Sequence, residues 1–275
     1  MINTVLITGA ASGIGDAFAQ LCASKGHSLA LVDINEGALA AQEDMIKNQY
    51  GVEVRSMVAD LSEENVATKI FDWTEQEDME IDLLFNNAGF GNFGYYNETD
   101  WNKDRAMLQV HIVTTSQLIK LVVPGMISRK RGYILNNASV AAFVPGPLMS
   151  TYHASKAYVL SLSQALADEL KPQGIQVSVL CPGMTRTNFA KANGNDDPNI
   201  KFNIATPEAV AAYGYDSLIK GRVVAVPGIW NQLSAFLPRL LPRMRVTKMV
   251  GNIQRKNHAK RKDQKAIDPQ KLVIK

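Results

Sequence analysis

Between residues 2 and 226, seven apolar runs of strand length alternate with longer segments whose apolar residues recur at helical spacing. A chain patterned this way satisfies itself by laying its strands side by side in a parallel sheet buried on both faces, with helices crossing over between them. Strands are predicted near 2–8, 28–33, 52–58, 81–85, 131–137, 175–180 and 222–226. Helices are predicted near 13–25, 36–49, 62–78, 100–128, 151–170 and 206–220, with Ser12, Asn35, Ser62 and Thr206 as candidate caps before four of them. The expected fold class is α/β, a doubly wound parallel sheet of about seven strands. Residues 1–228 form one domain, residues 184–205 a lid rich in Asn, Asp and Gly, and residues 229–275 a basic amphipathic helical extension.

Composition enters mainly as exclusion. With 46% hydrophobic and 20% charged residues the chain can bury a core, and two cysteines are too few for a disulfide scaffold. Cys22 and Cys181 read as buried thiols in a reducing compartment. The chain opens into an apolar strand without a basic leader, and no unbroken apolar run reaches the roughly 18 residues that span a bilayer. A cytoplasmic protein is therefore expected, with association to a membrane left open by the tail. Net charge is unevenly spread: residues 1–238 carry 17 Lys/Arg against 24 Asp/Glu, while 239–275 carry 12 against 2.

The turn after the first strand, Thr8-Gly9-Ala10-Ala11-Ser12-Gly13-Ile14-Gly15, opens directly into the first helix. Glycines there let the backbone turn tightly and approach a pyrophosphate lying on the helix N-terminus. The second strand ends at Asp33, whose carboxylate can accept both ribose hydroxyls of an adenosine and repel a 2′-phosphate. That favours NAD over NADP. The alternative is that Asp33 serves the turn before Asn35.

These residues resemble the short-chain dehydrogenase/reductase family, and the resemblance extends over residues 2–226. Thr8 to Gly15 is similar to the family's TGxxxGIG turn, and Asp60 in Ala59-Asp60-Leu61 to the acid beside the adenine. Asn86-Asn87-Ala88-Gly89 is similar to the NNAG strand end, and Pro182-Gly183 with Thr187 to the loop beside the nicotinamide. Tyr152-His153-Ala154-Ser155-Lys156 matches YxxxK, with Ser139 at the family's serine position 13 residues upstream. The resemblance implies a Rossmann-type domain whose cofactor is held by Thr8, Gly9, Ser12, Gly13, Ile14, Gly15, Asp33, Asp60, Leu61, Asn87, Ala88, Gly89, Tyr152, Lys156, Pro182, Gly183 and Thr187. It also implies a homo-oligomer. Ser12 stands where NADP-preferring members often carry a basic residue.

Reducing a carbonyl requires a hydride and a proton together, and a phenol of ordinary pKa about 10 is a poor base at neutral pH. Lys156 lies one helical turn from Tyr152, so its ammonium can favour the phenolate and reach the nicotinamide ribose. Ser139 ends the fifth strand at the sheet's carboxyl edge, where its hydroxyl can hold the substrate oxygen. Tyr152 is then the proton donor, Ser139 the orienter and Lys156 the tuner. His153 points to another helix face and reads as a surface or packing residue; Ser155 is its neighbour. The chain departs from the family at His111, where relatives carry an asparagine that shapes the fourth helix so that a backbone carbonyl holds a lysine-bound water. Either the proton relay persists through the main chain or it runs through His111 itself. The four histidines share no metal-ligand spacing, and no GxSxG elbow is present.

Around this site the loops are apolar and aromatic: Phe90, Phe93, Tyr95 and Tyr96, then Phe143, Val144, Pro145, Leu148 and Met149, then Met184 and Phe189. They suit a small hydrophobic ketone or secondary alcohol, or else pack the loops. After Pro227, apolar residues alternate with basic ones. They cap the pocket or a subunit contact, or lie on an anionic membrane; nucleic acid is disfavoured because no recognition motif accompanies the charge. The leading expectation is an NAD-preferring oxidoreductase acting on a hydrophobic alcohol or ketone. Its rivals are an NADP-dependent 3-oxo lipid or acyl reductase and a non-catalytic dinucleotide sensor or scaffold.

Overall fold

A computed structural model of the chain describes residues 2–187, 189 and 204–267, with side chains as far as residue 260. Its sheet has seven parallel strands in the order β3-β2-β1-β4-β5-β6-β7. The strands are β1 (Thr4–Thr8), β2 (Ser28–Asp33), β3 (Val54–Val58), β4 (Ile81–Asn86), β5 (Gly132–Asn137), β6 (Ile175–Leu180) and β7 (Val224–Ala225). Between them run α1 (Gly13–Ser24), α2 (Glu36–Tyr50), α3 (Val66–Gln76), α4 (Trp101–Leu108), α5 (Thr115–Ser128), α6 (Ser150–Leu170) and α7 (Pro207–Ile219). Two further helices, α8 (Ile229–Phe236) and α9 (Arg243–Ile267), follow the last strand. The fold is the expected doubly wound Rossmann-type sheet.

Period-two alternation sends side chains to two cores. Val5, Ile7, Leu29, Leu31, Leu83 and Phe85 face Phe18, Cys22 and Leu39 of α1 and α2. Leu6, Ala30, Val32 and Leu84 face Ile70, Leu118, Ile119 and Val122 of α3 and α5. Strand order reverses between β1 and β4, which pair through Val5 and Leu83 onward. Loops leaving these two strands at their carboxyl ends therefore diverge to opposite sides and leave a crevice.

Three local details differ from the sequence expectation. The third helix starts at Val66 rather than near 62, because the Asp60 carboxylate accepts the Ser62 amide at 2.8 Å and holds the chain in a turn. Asn65 precedes it in left-handed conformation at φ 60°, with no capping bond from its side chain. Asn35 and Thr206 do cap, accepting from the amides of Ala38 and Ala209. The edge strand β7 is two residues long, since only Val224 and Ala225 pair with β6 on that side. The single helix expected over 100–128 is broken by a π-helical turn, Gln109–Thr114, rich in β-branched residues. The Thr115 hydroxyl donates to the Val110 carbonyl at 3.0 Å within that wider turn. Trp101–Ser128 is long and apolar enough to cross a membrane. Its apolar stripe of Val110, Leu118, Ile119, Val122 and Met126 lies against the sheet instead.

Phe18 is fully buried, its ring 4.3 Å from that of Phe85, beneath the turn that leads into α1. Phe18→Ala leaves a cavity that a parallel sheet cannot collapse around, and is expected to lower stability by about 3–5 kcal/mol in urea unfolding.

Candidate active site

The glycine turn and the NNAG strand end are locked together. Thr8 Oγ1 accepts the amides of Asn87 at 3.0 Å and Ala88 at 3.2 Å. Asn87 Nδ2 donates back to the carbonyls of Thr8 and Gly9, at 3.1 and 2.9 Å. Its Oδ1 accepts from Asn137 Nδ2 at 3.0 Å, tying in the end of β5. The approach is so close that a Cβ on Gly15 would stand 2.0 Å from the Gly9 carbonyl oxygen. Gly9 and Gly13 sit at positive φ, and a Cβ on Gly13 would press on Thr187 at 3.0 Å. Thus the Pro182–Thr187 loop comes over the glycine turn. The Ser12 side chain makes no cap bond, so the first-turn amides of α1 remain available at the mouth of the crevice.

Asp33 stands at the end of β2 with one oxygen on the Ala11 amide and the other on the Asn35 amide, both at 2.9 Å. It joins the glycine turn to the next helix, and each carboxylate oxygen keeps a lone pair for a ribose hydroxyl. Asp60 lies on the loop after β3. The Leu61 side chain is buried in the α3–α5 core, and its carbonyl accepts the Thr114 hydroxyl at 2.9 Å.

Ser139, Tyr152 and Lys156 come together at the carboxyl edge. Ser139 caps a short 3-10 turn, its Oγ accepting from the Ala141 amide at 3.1 Å and donating to the Pro182 carbonyl at 3.5 Å. Tyr152 is 8% exposed, packed with Phe93, Met107, Leu148 and Met149. That burial pushes its phenol up to about 12, while the Ser139 hydroxyl pulls the other way. The Lys156 ammonium donates to the Asn137 carbonyl at 2.8 Å and lies 5.9 Å from the Tyr152 ring centre. Burial draws it down to about 8. A protonated phenol is the form that gives a proton to a developing alkoxide.

His111 lies in the π-turn, 1% exposed, and its two nitrogens are both engaged. Nε2 faces the Phe90 amide at 3.2 Å and therefore accepts. Nδ1, 2.9 Å from Ser155 Oγ, then carries the ring proton and donates; the tautomer is assigned from these bonds. Ser155 Oγ donates in turn to the Tyr152 carbonyl at 2.8 Å. Burial, and then the Lys156 charge, hold His111 well below the usual histidine range, so it stays neutral. Gly89 packs edge-on to it: a Cβ there would meet His111 Nε2 at 2.7 Å and Lys156 Nζ at 3.3 Å.

Sequence reading passed over Ser155, whose proximity to His111 depends on how two helices pack. It also passed over the buried chain Asn86 Nδ2 to Asn136 Oδ1 to Ser163, each link 2.9 Å, in the middle of the sheet. His153 is a packing residue: its Nδ1 donates to the Val144 carbonyl at 2.8 Å. Leu148, at φ 67°, is a bulky residue in left-handed conformation beside Tyr152, and its carbonyl accepts the Gly94 amide. Of the expected lid, 188 and 190–203 lie outside the described residues; Thr185 bridges Ala205 at its base, and the Phe189 ring stands 5.5 Å from Tyr152.

A family model described as short chain dehydrogenase matches residues 3–198, and the chain belongs to that family. It is an NAD(P)-dependent oxidoreductase acting on hydroxyl or keto groups. Among curated proteins it is 29% identical over 241 residues to the mouse (Mus musculus) very-long-chain 3-oxoacyl-CoA reductase, covering 85% of this chain and 75% of that one. A short-chain dehydrogenase from Sphingobium yanoikuyae, solved in complex with NADPH, superposes with a TM-score of 0.78 at 31% identity, over 87% of this chain and 94% of that one. One from Burkholderia phymatum, in complex with NAD, gives 0.78 at 27% identity, over 86% and 93%.

The buried ammonium has a measurable signature. Folding lowers the Lys156 pKa from 10.5 to about 8, so the unfolded chain binds more protons between those values and this group's penalty is relieved as pH rises through them. Lys156→Met is expected to be more stable than the parent below pH 8, by on the order of 1–3 kcal/mol, with the difference shrinking by pH 10.5 in urea melts at each pH.

Proposed function

We propose that the chain transfers a hydride reversibly between a nicotinamide nucleotide, NAD in preference, and a hydrophobic secondary alcohol or ketone. The observation that carries this reading is the Tyr152 phenol, buried in an apolar wall of Phe93, Leu148 and Met149 with the Ser139 hydroxyl against it. A bound nicotinamide nucleotide supplies the hydride. The glycine turn and the open amides of α1 would hold its pyrophosphate and Asp33 its adenosine ribose, with the Asn87–Gly89 and Pro182–Thr187 loops beside the nicotinamide.

Tyr152 gives its proton to the reduced substrate oxygen, and Ser139 orients that oxygen. Lys156, now on the Asn137 carbonyl, would also reach the ribose of a bound nucleotide; its ammonium returns a proton to the phenolate after reduction and is recharged from water, and it favours phenolate when the reaction runs as oxidation. His111 is a positioning residue: with both nitrogens committed, it ties the Phe90 backbone to the catalytic helix and passes no proton.

A second reading, a 3-oxo acyl substrate, is favoured by the name of the mouse relative and by the same apolar wall, which suits a long chain as well as a compact ketone. Either substrate demands the same phenol. Tyr152→Phe is expected to cut turnover by about 10²–10⁴-fold while fluorescence titration shows nucleotide affinity within a few-fold of the parent. Unchanged turnover in the variant removes Tyr152 from the role of proton donor, and absence of turnover in the parent leaves the scaffold reading. Preference is read at Asp33: NADH is expected to bind more tightly than NADPH, and Asp33→Ala to narrow the ratio by at least about tenfold. Equal or tighter NADPH binding by the parent overturns the assignment of NAD.

A further inference from the structure

Helix α8 is inside out. Ile229, Leu233 and Phe236 share one face of α8, and that face, with Leu237 of the following 3-10 turn and Trp230 beside it, is exposed, each residue by 39–62%. The opposite face, Asn231 and Ala235, is the one turned inward: Asn231 Nδ2 donates to the Pro227 carbonyl at 2.7 Å, and Ala235 is buried. A surface helix of a self-sufficient domain does the reverse. Further exposed apolar residues follow along the chain, Leu240, Leu241 and Met244, then Met249 and Ile253 of α9.

Charge identifies the occupant. No acidic residue lies between Asp216 and Asp263, whereas Arg239, Arg243, Arg245 and Lys248 lie along the apolar surface and further cations follow. A second copy meeting this face across a two-fold axis would bring those cations against themselves. An anionic bilayer offers hydrocarbon for the apolar side chains and phosphate for the cations in the same plane. We infer that α8 and the start of α9 dock the enzyme on an anionic lipid surface.

The docking arm borders the active site. Gly251 packs on Pro147, Gln254 Nε2 reaches Met149 Sδ at 4.0 Å, and the His258 ring stands edge-on to Tyr95 at 5.2 Å. Docking therefore sets the apolar wall around Tyr152 beside the lipid, where a membrane-dissolved ketone is concentrated. That consequence rests on the hydrophobic-substrate reading; docking itself does not.

The test is flotation of the full chain with vesicles of phosphatidylcholine, alone or with about 30% phosphatidylserine, at low and high salt. Binding to the anionic vesicles at low salt is expected, weakened at least about tenfold by high salt and at least about tenfold by R239E/R243E/R245E/K248E or by F236S/L237S. NADH titration of each variant reports whether the nucleotide domain is folded. Should a variant fail that check, nitroxide-labelled lipid is expected to quench tryptophan fluorescence of the parent and to quench W230F less. Failure of the parent to float, equal binding to uncharged vesicles, or a dimer dispersed by F236S/L237S without flotation overturns the proposal. Flotation without turnover on any ketone would sink the catalytic reading and leave docking standing.

Discussion

Four hydrogen bonds between Thr8–Gly9 and the Asn87–Ala88 segment carry the rest of the site. Two loops that leave neighbouring strands in opposite directions need an internal bond to keep a fixed gap, and here one hydroxyl and one carboxamide supply it. Because Asn87 also takes the Asn137 amide, the clamp spans β1, β4 and β5 and fixes the edge from which Ser139 emerges. Every partner is short and lies at the end of a strand or within two residues of it, so the crevice is set close to the sheet edge.

Reading the strands from sequence worked because a sheet buried on both faces writes its burial directly as apolar runs. Val5 to Ile7 and Leu83 to Phe85 have only one way to hide every side chain. The glycine turn was legible for a similar reason: Gly15 has no room for any atom, so the residue type is dictated. The π-turn was not legible, since adding a residue to one helical turn leaves both flanks helical in pattern. Nor was the start of α3, where an Asp60 side chain competes with helix geometry that Ser62 equally suits. The sequence showed amphipathic helices after Pro227, but which face is turned outward depends on contacts with Pro227 and Gly183 that no periodicity encodes.

The site combines opposite electrostatic demands within one buried volume. Lys156 is held where charge is costly, and Tyr152 where losing a proton is costly. A neutral imidazole beside them adds hydrogen bonds without adding a second charge, which is what this tight corner tolerates. The histidine that departs from the family pattern thus conforms to the physical requirement. Asn86, Asn136 and Ser163 behave the same way deeper in the sheet, meeting polar needs with uncharged groups.

The π-turn at Gln109–Thr114 has a consequence for how this helix can vary. In an uninterrupted helix each residue is fixed at about 100° from the next, so rotating one end rotates the other. One wide turn breaks that phase relationship. The π-turn can carry His111 toward Phe90 and Ser155 while α5 keeps Leu118, Ile119 and Val122 on the sheet. The two halves are thereby uncoupled gears on one shaft, and the half that touches the active site can be re-aimed without disturbing the half that holds the core.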